Sequence, residues 1–455
     1  MMLSMYSGVS GLRAQQSKLD VIGNNIANVN TAGYKQQTVS FADLLSQTLS
    51  GATAASTTTN RGGTNAKQIG LGVSVASTDT LMTTGSTQTT GNSTDVSISG
   101  SGFFIVQGGT TGEYQFTRAG NFGVDESGNL TVGGLTVCGW QDYGGAAQAD
   151  GTYEYDTQKQ VEPLNLFSDS YNGNKKVIAP QVTTAATLTG NLDPSSTAQG
   201  TALDSIGTDY TSDATSTMTV YDAQGNSYDV QVKFSKCYVD TTDADNPVTS
   251  WYWETDSSSS NLTASGSGYI TFDANGKIIT NDSTNYNTSP SITLTPTGDS
   301  ASATAFDVSL DLTGVSTYTS TSTSGVSVSQ IDGYESGELQ DFTIGSDGLI
   351  TGTYSNGQTQ PLGMLSLAAF SNPAGLEKIG NNLYITTANS GDFTGGVEAG
   401  TAGTGTLSSG TLEMSNVDLA QQFSEMMITQ RAYQANSKII STADEMLETL
   451  VNLVR

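Results

Sequence analysis

LAQQFSEMMITQRAYQANSKIISTADEMLETLVNLVR, residues 419–455, decides how the rest of this chain is read. Leu419, Met426, Tyr433, Ile440, Leu447 and Val454 recur seven residues apart, and Phe423 and Val451 lie on the neighbouring track. An apolar column of that period is one face of a helix, so the spacing predicts a single helix over the last ~40 residues, with a stripe that seeks a partner. SNVD marks its start: Ser415 or Asn416 is placed to cap, and Asp418 complements the positive end of the helix dipole. Gln430, Ser437 and Asp444 interrupt the second apolar track, so the stripe suits weak packing against several neighbours better than a self-sufficient zipper.

The opposite end repeats the device. Met5, Leu12, Leu19 and Ile26 form a second seven-residue column, flanked by Val9, Ile22 and Val29. It runs out in IGNNIANVNTAGYK, where Asn24, Asn25, Asn28 and Asn30 crowd together before Gly33, an expected left-handed stop, and Tyr34, an apolar anchor. Asn is a poor helix former and a good partner for exposed backbone groups. A C-cap accounts for one or two of the four, and the rest are expected to bond to neighbouring chains. Segments poor in large apolar residues, Gly51–Gln68 and Asn389–Gly410, separate both helices from the interior and read as flexible tethers. Helices tethered at both ends of a chain are expected to pair with each other and to satisfy their remaining apolar surface on other subunits.

From Asp95 to Tyr384 helical periodicity nearly vanishes, and strand and turn signals take over. DVSISGSGFFIVQ alternates and then runs apolar. ESGN, DAQGN, DANGK and GSDG each sit between β-formers as tight reversals. Asp273 and Asn275 before Gly276 invite a calcium reading, but Lys277 follows where an EF-type loop needs further ligands. Trp251 and Trp253 in SWYWET could stack on a sugar, and read more simply as one face of a strand on a core. The expected fold class is mainly β, with two or three β-rich, nested domains strung between paired, coiled-coil-like terminal helices.

Composition closes off other functions. The net charge of −27, from 43 acidic and 16 basic residues, would repel a phosphate backbone, so nucleic acid is not an expected partner. Histidine is absent, which removes the commonest general base and zinc ligand. Cys138 and Cys237 are too far apart for a zinc or CxxC site and read as isolated buried thiols. No phosphate-binding loop, zincin helix or nucleophile elbow occurs, so no enzyme, metal or cofactor is expected. A two-carboxylate glycosidase needs neither His nor Cys, yet nothing nominates a pair. No apolar run reaches the ~20 residues that span a bilayer, and the start lacks the pattern of a cleaved signal. A secreted β-rich adhesin or surface protein fits the composition but leaves the matched terminal columns unexplained.

These ends carry a resemblance. SGLRAQQSKLDVIGNNIANVNTAGYKQQTVSFADLL is similar to the N-terminal signature of the bacterial flagellar rod and hook family of axial proteins, and LEMSNVDLAQQFSEMMITQRAYQANSKIISTADEMLETLVNLVR resembles its C-terminal signature. DVSISGSGFFIV, FTRAGNF and GTYSNGQTQPLGMLSLAAFSNPAGLEKIGNNLY resemble the β-domain of its hook and distal rod branches. TVYDAQGNSYDVQVKFSK, and a central insertion from about residue 150 to 330, favour the hook branch over the shorter distal rod branch. The resemblance implies a self-assembling extracellular tube that passes torque from rod to filament as a universal joint. It implies rod, hook-cap and hook–filament junction proteins and the type III export apparatus as partners, export without signal cleavage, and no membrane insertion. The expected division is a terminal helical domain (1–35, 415–455) lining a channel, a linker region (36–75, 390–414), an inner β-domain (76–150, 335–389) and an outer one (151–334). Met5, Leu12, Leu19, Ile26, Asn28, Tyr34, Leu419, Phe423, Met426, Tyr433, Ile440, Leu447 and Val454 are the expected assembly contacts. Cys237 beside Lys236 is a cross-link site that the resemblance suggests.

Overall fold

Seven-residue columns at the ends and two-residue alternation between them cannot form one kind of element, and the fold divides accordingly. A computed structural model describes residues 2–55, 61–108, 112–143, 154–242, 247–257, 261–279, 290–297, 304–319 and 325–453. The helices are α1 (Met2–Ala27) and α2 (Leu419–Leu453); among the described residues the remaining elements are strands and one 3-10 turn, Pro373–Gly375. By contact density the chain separates into two compact units: Met1–Lys175, Asp341–Gly352 and Gln360–Arg455 form the first, and Lys176–Gln340 with Thr353–Thr359 the second.

The second unit is a β-sandwich. A four-stranded antiparallel sheet (Ala214–Tyr221, Ser227–Asp240, Val248–Ser257, Ser267–Phe272) shares its core with a five-stranded sheet whose Ala185–Asn191 and Phe306–Ser316 run parallel. Strand Ala214–Tyr221 buries Ala214, Ser216, Met218 and Val220 and turns the intervening residues outward, which is what a half-buried strand dictates. Trp251 and Trp253 lie fully inside with Phe234, Phe272 and Leu294, so the SWYWET alternation faces a core. Within the central insertion, the Ser/Thr-rich stretch from residue 281 to 325 supplies two of the five strands, Ser291–Pro296 and Phe306–Ser316. The Asp reversals are turns. Asp222 accepts hydrogen bonds from the Gln224 and Asn226 amides (2.8 and 3.0 Å) and from the Tyr228 hydroxyl (2.9 Å). Asp273 accepts from the Asn275 and Lys277 amides (2.9 and 2.8 Å), and Gly276 takes the left-handed conformation such a reversal needs.

In the first unit, Phe103–Gln107 pairs with Tyr114–Thr117 and with Leu135–Trp140, and Leu383–Ile385 extends the sheet from Tyr114–Thr117. Its core is aromatic: the Phe370 ring meets Phe103 and Phe116 edge-on, with centroids 5.9 and 4.8 Å apart. Tyr155, Val161, Leu164 and Leu166, which the sequence assigns to the outer region, are buried in this unit, so the passage to the sandwich comes at Lys175–Lys176.

Among the described residues, both segments read as tethers contribute to paired structure. Strand β1 (Gln37–Asp43) pairs with β4 (Val73–Thr80), and β2 (Ser46–Ser50) with β3 (Lys67–Gly70), making one long two-stranded ribbon. Its Thr, Ser and Gln side chains join across the ladder, as Ser40 does with Ser77 at 2.6 Å and Thr53 with Thr64 at 2.7 Å. Thr406–Ser409 pairs with Val96–Ser99 and buries Leu407. Small polar residues look like linker in composition, yet nothing bars them from a ladder whose bonds are made by the backbone.

Candidate self-assembly interface

α1 and α2 pack side by side through residues that are mostly small or polar. On α1 the buried positions are Gly8, Gly11, Ala14, Ile22 and Asn25; on α2 they are Gln422, Thr429 and Ala443. A side chain at Gly11 would come within 2.7 Å of the Asn436 amide, and one at Gly8 within 3.3 Å of Ile440. The pair therefore depends on backbones that approach closely, which glycine permits. Lys18 and Glu425 bridge the helices at 3.5 Å.

The heptad columns do not coincide with this contact face. A strict seven-residue repeat drifts ~20° per heptad around a straight helix. On α2 the column accordingly runs along the margin of the contact: Leu419 and Tyr433 are exposed, and Met426, Ile440 and Leu447 are half-buried. Met5, Leu12, Leu19 and Ile26 are half-buried along the edge of the pair. Phe423 (51% exposed), Met427, Ile428 (67%), Tyr433, Ile439, Met446, Leu450, Val451 and Leu453 face solvent on α2, as do Tyr6 and Val9 on α1. Val454 lies outside the described residues.

At the junction below the helices the asparagine run divides its labour. Asn25 is buried and fully used: its amide donates to the Gln37 carbonyl (2.8 Å) and to Gln422 (3.1 Å), and its oxygen accepts from Tyr34 (3.2 Å) and the Gln37 amide (3.0 Å). Asn28 donates to the Asn24 carbonyl at 2.9 Å, closing the helix end. Both therefore bond within their own chain, while Asn24 and Asn30 remain exposed. Gly33 turns left-handed (φ 69°) and donates to the Glu413 carbonyl at 2.8 Å; Tyr34 is buried under the Lys378 ammonium, 4.1 Å from the ring centre. The cap of α2 is Asp418, whose carboxylate accepts from the Ala420 and Gln421 amides (2.8 and 3.2 Å). Asn416, an expected cap, instead accepts from the Gln36 amide at 2.8 Å and donates to Leu81 at 2.9 Å.

Beside this junction lies a group that the apolar columns do not reveal. Lys35, Arg118 and Glu413 are all buried: Lys35 donates to one Glu413 oxygen (2.6 Å) and to the Thr83 carbonyl (2.7 Å), and Arg118 donates to the other oxygen (3.2 Å) and to Gly100 (2.9 Å). Burial pushes both cations' pKa values down, and the Glu413 carboxylate opposes it. The signal was present in FTRAGNF, which places an arginine where a strand should bury its neighbours. Cys237 is fully buried in the sandwich. Its thiol donates to the Ala202 carbonyl at 3.2 Å, with its pKa raised by burial, and Lys236 reaches the Ser196 carbonyl (2.9 Å) instead.

Family comparisons fit the same segments. Residues 5–35 match the flagella basal body rod protein family, 97–138 the flagellar hook protein FlgE/F/G D1 domain, 191–334 the flagellar basal body protein FlaE D2 domain, and 408–453 the flagellar basal body rod FlgEFG protein C-terminal family. The flagellar hook protein FlgE of Treponema pallidum is 38% identical, and that of Borreliella burgdorferi 36%, each alignment covering 100% of both chains. The chain belongs to the flagellar hook protein family. The flagellar basal-body rod protein FlgG of Bacillus subtilis also aligns over 100% of both chains, at a lower 30% identity. The hook family is a structural one, so the chain is a structural component of the flagellum, located at the hook, and a self-polymerising one.

Proposed function

We propose that copies of this hook-family chain stack through their paired terminal helices into a hollow curved tube, a universal joint that carries torque from rod to filament. One observation carries the reading. The two helices meet through Gly8, Gly11, Ala14, Gln422 and Thr429, while Phe423, Ile428, Met446 and Leu450 are left to solvent on the same pair. Apolar side chains so arranged are stabilised by leaving water, and they leave it only when other copies cover them. In this reading Met5, Leu12, Leu19, Ile26, Asn28, Tyr34, Leu419, Phe423, Met426, Tyr433, Ile440, Leu447 and Val454 belong to the inner layer. The first unit's sheet and the sandwich form the outer layers, where polar faces exchange contacts with water as the tube bends.

Rod, hook-cap and hook–filament junction proteins would meet the ends of that tube, and the type III export apparatus would pass the chain without cleaving a signal. Helices held by so little shared apolar surface are marginal alone, which suits passage in an unfolded state. A Cys237 cross-link requires the thiol to leave its buried site on assembly; denaturing gels of assembled protein showing monomer alone would remove it. The test of the whole reading is electron microscopy of purified chains. Curved tubes of fixed diameter are expected, and chains with Ile440→Asp and Leu447→Asp should remain dispersed with the sandwich intact. Dispersed unsubstituted protein, or tubes from the double variant, would overturn it.

A further inference from the structure

The outer face of the sandwich's four-stranded sheet carries three tyrosines in contact. On strand Val248–Ser257, Trp251 and Trp253 are buried in the core, so Tyr252 and Glu254 point to the other face. Tyr252 stands directly opposite Tyr269 on the next strand, with ring centroids 5.1 Å apart. The Tyr210 ring meets Tyr252 edge-on at 5.5 Å. All three are half-buried.

A covering segment brings Tyr210 there. Gly200–Ala202 and Ser205–Ile206 pair as a short hairpin. Three bonds hold it to the sheet: the Cys237 thiol donates to the Ala202 carbonyl (3.2 Å), the Ser250 hydroxyl to the Leu203 carbonyl, and the Ile206 amide to the Tyr269 hydroxyl (3.3 Å). Beyond the hairpin, the Tyr210 hydroxyl donates to the Glu254 carboxylate.

That last bond matters for oxidation. A phenol that loses an electron becomes a strong acid, so it is oxidised readily where a base already touches its hydroxyl. Burial, the Glu254 carboxylate and the Tyr252 hydroxyl all push the Tyr210 pKa up, so the phenol keeps its proton at neutral pH and directs it at the carboxylate. Tyr210 thus joins a ring partner, a proton acceptor and partial exposure. Tyr143 and Tyr155 also meet at 5.5 Å, but both rings are buried in the first unit, away from a dissolved oxidant.

We propose that Tyr210 and Tyr252 are a modification site, an oxidative staple closed as a carbon–carbon bond by a one-electron oxidant of the peroxide class. Tyr210 loses its electron to the oxidant and its proton to Glu254, which passes the proton to water. Tyr252 loses an electron to a second oxidising equivalent and its proton to water. The two phenoxyl radicals join through the ring carbons beside their oxygens, and the hydrogens on those carbons move to the oxygens and restore both phenols. With hydrogen peroxide as terminal oxidant, the two electrons and two protons leave as two molecules of water. The staple ties the covering segment to strand Val248–Ser257 without a cysteine pair and restricts the unfolded chain as other cross-links do. It does not depend on the assembly reading.

The test uses the full-length chain, dilute and unassembled, oxidised by photogenerated ruthenium tris-bipyridyl with persulfate. Mass spectrometry should find a main cross-linked peptide joining Tyr210 to Tyr252, lighter than its parts by the hydrogens lost, and the urea midpoint of the sandwich should rise. Tyr210→Phe or Tyr252→Phe should remove the link while the unoxidised sandwich keeps its midpoint. Glu254→Gln leaves the rings in contact and should slow dityrosine fluorescence about tenfold or more at neutral pH. Its residual rate should climb with pH, because hydroxide must then take the proton. Links spread over exposed tyrosines such as Tyr171 and Tyr318 with none at Tyr210, or a Tyr143–Tyr155 link in equal yield, would overturn the staple. An unaltered rate and pH profile in Glu254→Gln would overturn the part given to the carboxylate.

Discussion

The sandwich and the helix pair are built on opposite principles. In the sandwich, Trp251, Trp253, Phe234 and Phe272 point inward, and the strands' outward positions are polar. In the helix pair, glycine, alanine, threonine and glutamine occupy the shared face, and phenylalanine, isoleucine and leucine point out. One region completes its core alone. The other leaves its largest apolar groups uncovered among the described residues. The lesson is that burial, more than element type, separates a region that completes its own core from one that, in the assembly we propose, other copies complete: residues of the same hydrophobicity do different work according to what covers them.

That contrast can be broken by substitution, and the expected losses of stability fall in order. Trp253→Ala removes a fully buried ring from the sandwich and should cost ~3–5 kcal/mol, read as a lower urea midpoint for that unit. A loss under about 1 kcal/mol would mean that the sandwich core is not what holds it. Glu413→Gln leaves Lys35 and Arg118 buried around a neutral amide and should cost ~3 kcal/mol or more in the first unit, with the sandwich transition unmoved. Calorimetry that shows both transitions shifting together would dissolve the distinction between the units.

A smaller effect comes from pH. Burial alone would raise the Asp169 pKa, but the hydrogen bond from the buried Lys175 and those from Asn172 outweigh it and hold the carboxyl below its usual range. A lowered acid pKa adds stability that is fully present above the unfolded value, ~3.9, and is lost as pH falls through the folded one. The stability of the first unit should therefore fall below pH ~4, and Asp169→Asn should flatten that dependence. The smallest expected change in stability belongs to Phe423→Ser with Ile428→Ser, within ~0.5 kcal/mol, because both side chains already face water. Assembly followed by light scattering should nevertheless slow sharply. A large drop in stability from that pair would show that the stripe serves the fold instead.

Much of this was legible in the sequence, for identifiable reasons. The seven-residue columns gave both helices, since nothing else produces that period, and the Asp/Asn/Gly reversals gave the hairpins, since few residues tolerate their conformations. The contact face of the helices was not legible. Apolar columns are conspicuous, and Gly8, Gly11 and Thr429 are not, although it is the small residues that let backbones meet. The ribbon strands at 37–50 and 67–80 were missed because ladder bonds come from the backbone and leave little trace in side-chain composition. Lys35 and Glu413 stand too far apart in the chain for any local pattern to join them, and only folding does.

That last pair has a consequence for order in time. Lys35 and Arg118 precede their shared carboxylate by hundreds of residues, and Glu413 stands immediately ahead of the helix α2. A chain that appears from its N-terminus onward holds two cations with nowhere to bury them until nearly its last segment arrives. A copy broken off before Glu413 therefore lacks the carboxylate that both cations share, and a junction closed on them would hold two buried charges unneutralised.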